Sequence, residues 1–266
     1  MMEDNYRDVC YQSSNLKQVI LKIDFPNPVE NDKIFCESID KKIIEYFSTR
    51  GKDEIKYYNE VSVAADSKTG MVKGHTTRFE GIEKTYIDTT RMNKIVLSND
   101  TIIFTYNNYQ SFEKLFEAAS GILQQIWKNK KLIAVRCGLR YINLYNLLPT
   151  DKKVSKTMFS PKLSKVMIAS LIDEQELLKP IRSMVTTEYV ADDIKVTYRA
   201  GIYNQFYPMP ISKDDYALDI DCYTNSAIES AEDLERFIER AHGMIQMLFE
   251  KSINDKMRGV MMKDEC

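Results

Sequence analysis

The residues best suited to binding chemistry lie on one predicted strand, which covers residues 135–143 (Val-Arg-Cys-Gly-Leu-Arg-Tyr-Ile-Asn). Because side chains alternate along a strand, Arg136 and Arg140 share one face, with a glycine between them. Guanidinium groups are planar bidentate donors to phosphate or carboxylate, and the glycine permits a close approach. The alternative is an ordinary solvated face whose arginines pair with acids on neighbouring strands. The candidate residues for binding an anion or a partner are Arg136, Arg140, Asn143 and Arg199.

A second chemical pattern is a pair of carboxylates, Asp219 and Asp221, separated by Ile220 on another predicted strand. Both carboxylates project from the same side of that strand, and paired carboxylates can hold Mg²⁺ for phosphoryl chemistry. The alternative to a binding protein is therefore a nucleic-acid-binding or metal-dependent nucleic-acid-processing protein. A plain amphipathic strand with Ile220 facing the core gives the same pattern, so both interpretations stay open.

The segment from residue 150 to residue 166 carries five lysines against a single acid. Among these lysines, Lys152, Lys153 and Lys156 are the candidate contacts to a nucleic-acid backbone. Only one aromatic residue, Phe159, lies in the segment, so base stacking is not indicated. The alternative is a solvated loop between two parts of the chain.

Residue types that many enzymes require are scarce. The chain has two histidines, His75 and His242, and neither lies in a nucleophile-elbow context such as Gly-x-Ser-x-Gly. Its five cysteines include no Cys-x-x-Cys pair, and no glycine-rich phosphate loop is present. The sequence thus gives no catalytic residue, metal site or cofactor, which favours a non-enzymatic protein without excluding an enzyme.

Composition places the chain among ordinary globular proteins. It has 266 residues, of which 44% are hydrophobic and 29% charged, with a formal net charge of −2. A dominant basic or acidic surface is therefore excluded, although a local patch is not. The N-terminus is charged, without an apolar region, and no apolar run approaches the roughly 20 residues that cross a bilayer. We expect a cytoplasmic protein without membrane contact.

Hydrophobic periodicity predicts an α+β fold. Period-two patterns predict strands at 19–25 and between 57 and 109, and period-3.6 patterns predict helices after Asn31 and Ser111. The second half of the chain repeats this order. Its predicted elements are a strand at 132–145, a helix at 160–177, strands at 181–190, 194–204 and 216–224, and a helix from Ser230.

We therefore predict two similar halves, each made of a strand, a helix, three antiparallel strands and a helix, with the helices packed on one side of antiparallel sheets. The predicted boundaries are 11–130, 131–255 and a tail at 256–266. The two closing helices share the pattern Ser-x-Glu-x-Leu, beginning at Ser111 and Ser230, followed by Gly-x-x-Gln. This echo supports the hypothesis of an internal pseudo-duplication.

Three segments resemble an uncharacterised, sporadically distributed bacterial protein family of about 250 residues. They are Asn15–Ile20, the Gly-Leu-Arg-Tyr-Ile-Asn strand at 138–143, and the closing helix with His242, followed by Phe249 and residues 253–258. The scattered distribution resembles that of phage-defence and toxin–antitoxin loci. Because no catalytic constellation is found and the Arg-Gly-Arg strand face is distinctive, we expect a non-enzymatic binding or interaction subunit, and the distribution of the family suggests that it serves a multi-component bacterial defence system. The resemblance supplies no catalytic residue, and a sensor or sponge for a small anionic ligand, such as a nucleotide, is a third hypothesis.

Overall fold

The structure, a computed structural model, describes residues 9–11, 15–26, 36–65, 72–128, 132–147, 159–161, 163, 183–204, 206–209, 214–261 and 263–265. The predicted α+β class is confirmed. The strands are β1 (Val9–Tyr11), β2 (Leu16–Asp24), β3 (Thr49–Arg50), β4 (Glu54–Ala65), β5 (Val72–Ile87), β6 (Asn93–Ser98), β7 (Thr101–Tyr106), β8 (Arg136–Leu147), β9 (Ser183–Ala191), β10 (Ile194–Ile202), β11 (Asp214–Thr224) and β12 (Lys263–Glu265). The helices are α1 (Glu37–Ile44), α2 (Phe112–Trp127), α3 (Ala231–Ser252) and α4 (Asp255–Met261).

Within the described residues, ten strands form one antiparallel sheet. Its order is β5-β6-β7-β2-β8-β11-β10-β9, and both β3 and β4 pair with β5. The central pair is β2 with β8, in which Leu21 lies opposite Leu139. Because this pair joins strands from the two predicted halves, the halves share one sheet where the sequence suggested a sheet for each.

Alternation along the strands separates a buried face from a more polar one. Val19, Leu21 and Ile23 of β2 are fully buried, as are Leu139 of β8 and Ile220 of β11. Buried side chains of the described helices belong to the same hydrophobic cluster. We call this the core face, and the opposite face, which carries the alternate residues of each strand, the open face. Burying each large apolar side chain contributes roughly 1.5–3 kcal/mol.

The two long helices begin where the sequence predicts. Ser111 accepts a hydrogen bond from the backbone N–H of Lys114 at 3.4 Å, and Ser230 accepts one from the N–H of Asp233 at 3.1 Å. Such caps satisfy backbone donors that lack partners within the first helical turn. α2 and α3 both contribute buried apolar residues to the core cluster, so each cap fixes the start of a core-facing helix.

Some predictions fall outside the described residues, and others need correcting in detail. Most of the predicted helix at 160–177 lies outside them. The helix predicted with Asn31 or Asp32 as its cap corresponds to α1, from Glu37 to Ile44, whose N-cap is the extended residue Cys36; residues 31–35 lie outside the described residues. In the predicted tail, Met257 and Met261 are buried, and β12 pairs with β1. No helix in the described part of the chain is long and apolar enough to cross a membrane.

Candidate functional site

Three of the predicted binding arginines lie on the open face. Arg136 and Arg140 alternate along β8, while Arg199 lies on β10, two strands away in the sheet. The exposed fractions of their side chains are 32%, 37% and 35%. Each guanidinium therefore has access to solvent.

Asp219 of β11 lies between Arg140 and Arg199. Arg140 donates two hydrogen bonds to its carboxylate, from Nε to Oδ1 and from Nη2 to Oδ2, both at 2.7 Å. Arg199 donates a third, from Nη1 to Oδ2 at 3.1 Å. The bidentate contact with Asp219 raises the pKa of Arg140 above its ordinary value. Asp219 is only 6% exposed, so two positive charges share one nearly buried negative charge.

Arg136 is held by a different set of side chains further along the open face. Its Nη1 lies 3.5 Å from Oδ2 of Asp24, and its Nη2 lies 4.0 Å from Oδ2 of Asp221. Its guanidinium also lies 4.9 Å from the centre of the Tyr223 ring, within range of a cation–π interaction. Burial raises the pKa of Asp221 despite these neighbouring arginines. Arg136 is thus neutralised by acids of its own chain, as the alternative interpretation expects.

Gly138, between the two arginines of β8, has space for a methyl group in ordinary contact with its neighbours. A Cβ atom at this position would lie 3.4 Å from Cβ of Tyr223, 3.6 Å from Arg136 Nη2 and 3.6 Å from Asp221 Oδ1. The space above the glycine is therefore bordered by side chains of the protein itself. Binding of one ligand by Arg136 and Arg140 across this glycine stays a prediction.

A cavity of about 650 Å³ instead opens next to Arg140 and Arg199. This volume is in the range of small-molecule sites. The lining contains three cationic side chains, one anionic side chain, three amides, two tyrosines and four apolar residues. They are Lys17, Arg140, Arg199, Asp219, Gln18, Asn107, Asn204, Tyr203, Tyr207, Ile142, Leu144, Met184 and Ala217. We call this space the open-face cavity, and its formal charge is +2.

Asn143 does not join this site. It lies on the core face, is 5% exposed, and its amide Nδ2 lies 3.4 Å from the carbonyl oxygen of Leu218. Lys152, Lys153 and Lys156 lie outside the described residues, so their predicted role in nucleic-acid binding stays a prediction. The remaining predicted residues lie on the open face of β8, β11 and β10: Arg136, Arg140, Asp219, Asp221 and Arg199.

The alternative metal site at Asp219 and Asp221 stays a prediction, and both carboxylates have cationic neighbours. Both oxygens of Asp219 accept hydrogen bonds from guanidinium groups. Asp221 has Arg136 as its salt-bridge partner. In the ranges that the structure describes, no three His, Cys, Asp or Glu side chains come together as metal ligands.

Sequence reasoning missed several lining residues. Tyr203 and Tyr207 come from the loop after β10, and Lys17 comes from the start of β2, opposite β8. The cluster of aromatic residues in the loop, at Tyr203, Phe206 and Tyr207, is visible in the sequence, but only the tertiary fold places it at the arginines. No protein-family model matches the chain, and a search of curated proteins finds no match to its sequence.

A further contact joins β8 to α3. The hydroxyl of Tyr141, on the core face of β8, lies 3.1 Å from Nδ1 of His242 and 2.8 Å from the hydroxyl of Tyr109. His242 is 6% exposed, and its ring stacks on Phe112 with 3.8 Å between centroids. These contacts give the histidine a packing role between α3, α2 and the sheet.

Proposed function

We propose that this protein is a non-enzymatic binding subunit that recognises an anionic group in the open-face cavity. The observation that carries the proposal is that Arg140 and Arg199 both line the cavity and both donate to the carboxylate of Asp219, whereas Asp221, opposite Arg140, does not belong to the lining. With Lys17 on the rim, the cavity holds three positive charges and one negative charge. An anion that enters the cavity would balance the excess charge.

The local chemistry favours phosphate or carboxylate as that anion. An arginine side chain has five N–H donors, and Arg140 uses donors on only two of its nitrogens to hold Asp219. Guanidinium groups bind oxyanions through pairs of parallel hydrogen bonds. Asp219 also fixes the rotamers of both arginines, so less side-chain entropy is lost when a ligand binds.

The wider role follows from the family resemblance. We propose that the protein works in the cytoplasm of a bacterium, as part of a multi-component anti-phage defence system, and that it also binds a protein partner. In such a system the anion would be a signal or a recognised group. The cavity supports recognition of a ligand and leaves the partner to be identified in the native host.

We also propose that the chain arose by internal duplication. In the sheet, the order β2-β7-β6-β5 on one side of the central pair corresponds to β8-β11-β10-β9 on the other. Counted outward from the central pair, each series begins with the first strand of its half. The three strands of the following meander come next, in the reverse of their order along the chain. The serine caps of α2 and α3 support the same correspondence.

Isothermal titration calorimetry with inorganic pyrophosphate tests the anion site. The test variant is Arg199→Gln, because Asp219 then keeps its bidentate contact with Arg140 and the local fold is retained. A hydrogen bond to a charged group contributes about 1.5–3 kcal/mol, so we expect pyrophosphate to bind roughly 10- to 100-fold more weakly.

The matched control is Arg240→Gln on α3. Arg240 pairs with Asp192 and Asp193, and it does not line the open-face cavity. We expect this variant to bind pyrophosphate as tightly as the wild type. Failure of the wild-type protein to bind millimolar pyrophosphate, or equal weakening in both variants, contradicts the proposed function.

A further inference from the structure

We propose that the ligand of the open-face cavity is a nucleoside phosphate, with its phosphate at the arginines and its base over an apolar floor at the other end. This inference rests on the proposed anion site and adds the chemical class of the ligand. It depends on the fact that the cavity has two chemically different ends, set by the register of four neighbouring strands.

The charged end covers two neighbouring rows of side chains across the sheet. Asp219 of β11 lies opposite Arg199 of β10 on one side and opposite Ile142 of β8 on the other. Arg140 lies one step further along β8, opposite Asp221. The row of Arg199 and the neighbouring row of Arg140 therefore place both guanidinium groups at one end of the cavity, where a phosphate would accept their hydrogen bonds.

The apolar end is the next row on the open face. In this row Ala217 lies opposite Leu144 of β8 and opposite Gly201 of β10, which in turn lies opposite Met184 of β9. Ala217 and Gly201 are small and buried, so the apolar surface that a ligand meets is mainly that of the larger, half-buried Leu144 and Met184 on either side. Since strands are about 4.8 Å apart, the row from Leu144 to Met184 spans roughly 14 Å, which is wide enough for a planar heterocycle.

The two ends are separated by a distance that suits one nucleotide. Arg199 and Gly201 are two residues apart on the same strand, which corresponds to about 7 Å. A sugar of ribose size fits between a ring on the apolar floor and a phosphate at the arginines. A simple anion such as phosphate would use only the charged end and leave the apolar half of the cavity empty.

Two tyrosines supply aromatic surface at the apolar end. Tyr203 and Tyr207 line the cavity and are 45% and 58% exposed. Asn204 holds the loop between them, since its Nδ2 donates to the carbonyl of Met209 at 2.7 Å and its Oδ1 accepts from the N–H of Phe206 at 3.0 Å. Aromatic rings in a held loop favour stacking with a base.

Binding of a series of ligands by the full-length protein tests the inference. The series is inorganic pyrophosphate, ribose 5-phosphate, the four common nucleoside 5′-monophosphates, and a short single-stranded oligonucleotide. We expect at least one mononucleotide to bind tenfold or more tightly than ribose 5-phosphate, because only the nucleotide carries a base.

Two variants test the floor and the loop. Ala217→Leu adds volume at a buried position between Leu144 and Met184, and Tyr207→Ala, at an exposed position, removes one aromatic side chain of the lining and keeps the inference testable if the first variant does not fold. We expect each variant to lose the advantage of the mononucleotide and to bind pyrophosphate within threefold of the wild type. The control is Ala227→Leu, the same substitution at an exposed position in the loop before α3.

The outcomes separate this inference from the proposed function. If ribose 5-phosphate and all mononucleotides bind equally, the nucleoside inference fails while the anion site stands. If neither these compounds nor pyrophosphate bind, both fail together. An oligonucleotide that binds more than tenfold more tightly than any mononucleotide overturns the inference in favour of a nucleic-acid site.

Discussion

Asp219→Asn is the substitution that most sharply separates stability from ligand binding. It removes the negative charge that Arg140 and Arg199 share, and it leaves a side-chain oxygen that still accepts one hydrogen bond. Hydrogen bonds to a charged group contribute about 1.5–3 kcal/mol each when the pair is shielded from water. Since both arginines are about one-third exposed, water recovers much of this loss. We expect a net destabilisation of about 1–2 kcal/mol.

The same substitution should strengthen anion binding, because it raises the formal charge of the cavity from +2 to +3. A unit charge about 8 Å from an anion, at an effective dielectric constant of about 40, contributes roughly 1 kcal/mol. That free energy corresponds to about fivefold tighter binding of pyrophosphate.

Urea unfolding followed by circular dichroism measures the first effect of Asp219→Asn, and calorimetric titration with pyrophosphate measures the second. The matched control is Asp192→Asn, because Asp192 makes a single contact with Arg240 and its side chain is 87% exposed. We expect the control to change stability by less than about 0.5 kcal/mol and to leave binding unaltered. A folded Asp219→Asn protein that binds pyrophosphate more weakly than the wild type would refute this reasoning.

Three further predictions concern other parts of the structure. Gly81→Ala should lower the free energy of unfolding by about 1–3 kcal/mol, because the new Cβ would lie 2.6 Å from Asn99 Oδ1. The control is Gly74→Ala, which should be tolerated because its Cβ would meet no atom within 4 Å. Urea unfolding compares the two variants. Tyr141→Phe removes both hydrogen bonds of a buried hydroxyl and should cost about 1–3 kcal/mol in the same assay. Burial raises the pKa of Asp221, so the wild-type protein loses stability as pH rises through that pKa and the buried carboxyl ionises. Asp221→Asn should therefore be more stable than the wild type at pH 7. In urea unfolding, the free energies of the two proteins should converge below about pH 4, where the carboxyl is protonated in both the folded and the unfolded state.

Local sequence patterns were sufficient to predict the secondary structure that positions the site. The period-two alternation around Arg136 and Arg140 correctly predicts a strand with both arginines on the face opposite Leu139. The reason is that apolar Leu139 faces the core, while the charged arginines face away from it. Ser111 and Ser230 correctly mark helix starts, since a cap is a local interaction between residues three positions apart. Such features need no knowledge of the tertiary fold.

The composition of the site depends on contacts that local patterns do not encode. Arg140 meets Asp219 because β8 and β11 pair in one register, and a shift of one residue would place these side chains on opposite faces. Arg199 joins them only because β10 is the next strand. The sequence therefore named Arg140, Arg199 and Asp219 separately, as an anion site and a metal site, and did not show that they form one cluster.

The partition of roles along β8 also required the structure. Arg136 and Arg140 look equivalent in sequence, but Arg136 lies among Asp24, Asp221 and Tyr223, while Arg140 borders the cavity. Which neighbours each arginine meets is fixed by strands more than 70 residues away in the chain.

Nuclear magnetic resonance of the arginine side chains, recorded while pyrophosphate is added to the intact protein, examines the anion site most directly. The Nε–H signals of Arg140 and Arg199 should move together and saturate with one dissociation constant, while that of Arg240 stays in place. Signals that do not move, or that all drift in parallel without saturating, would show that these two guanidiniums serve the fold alone.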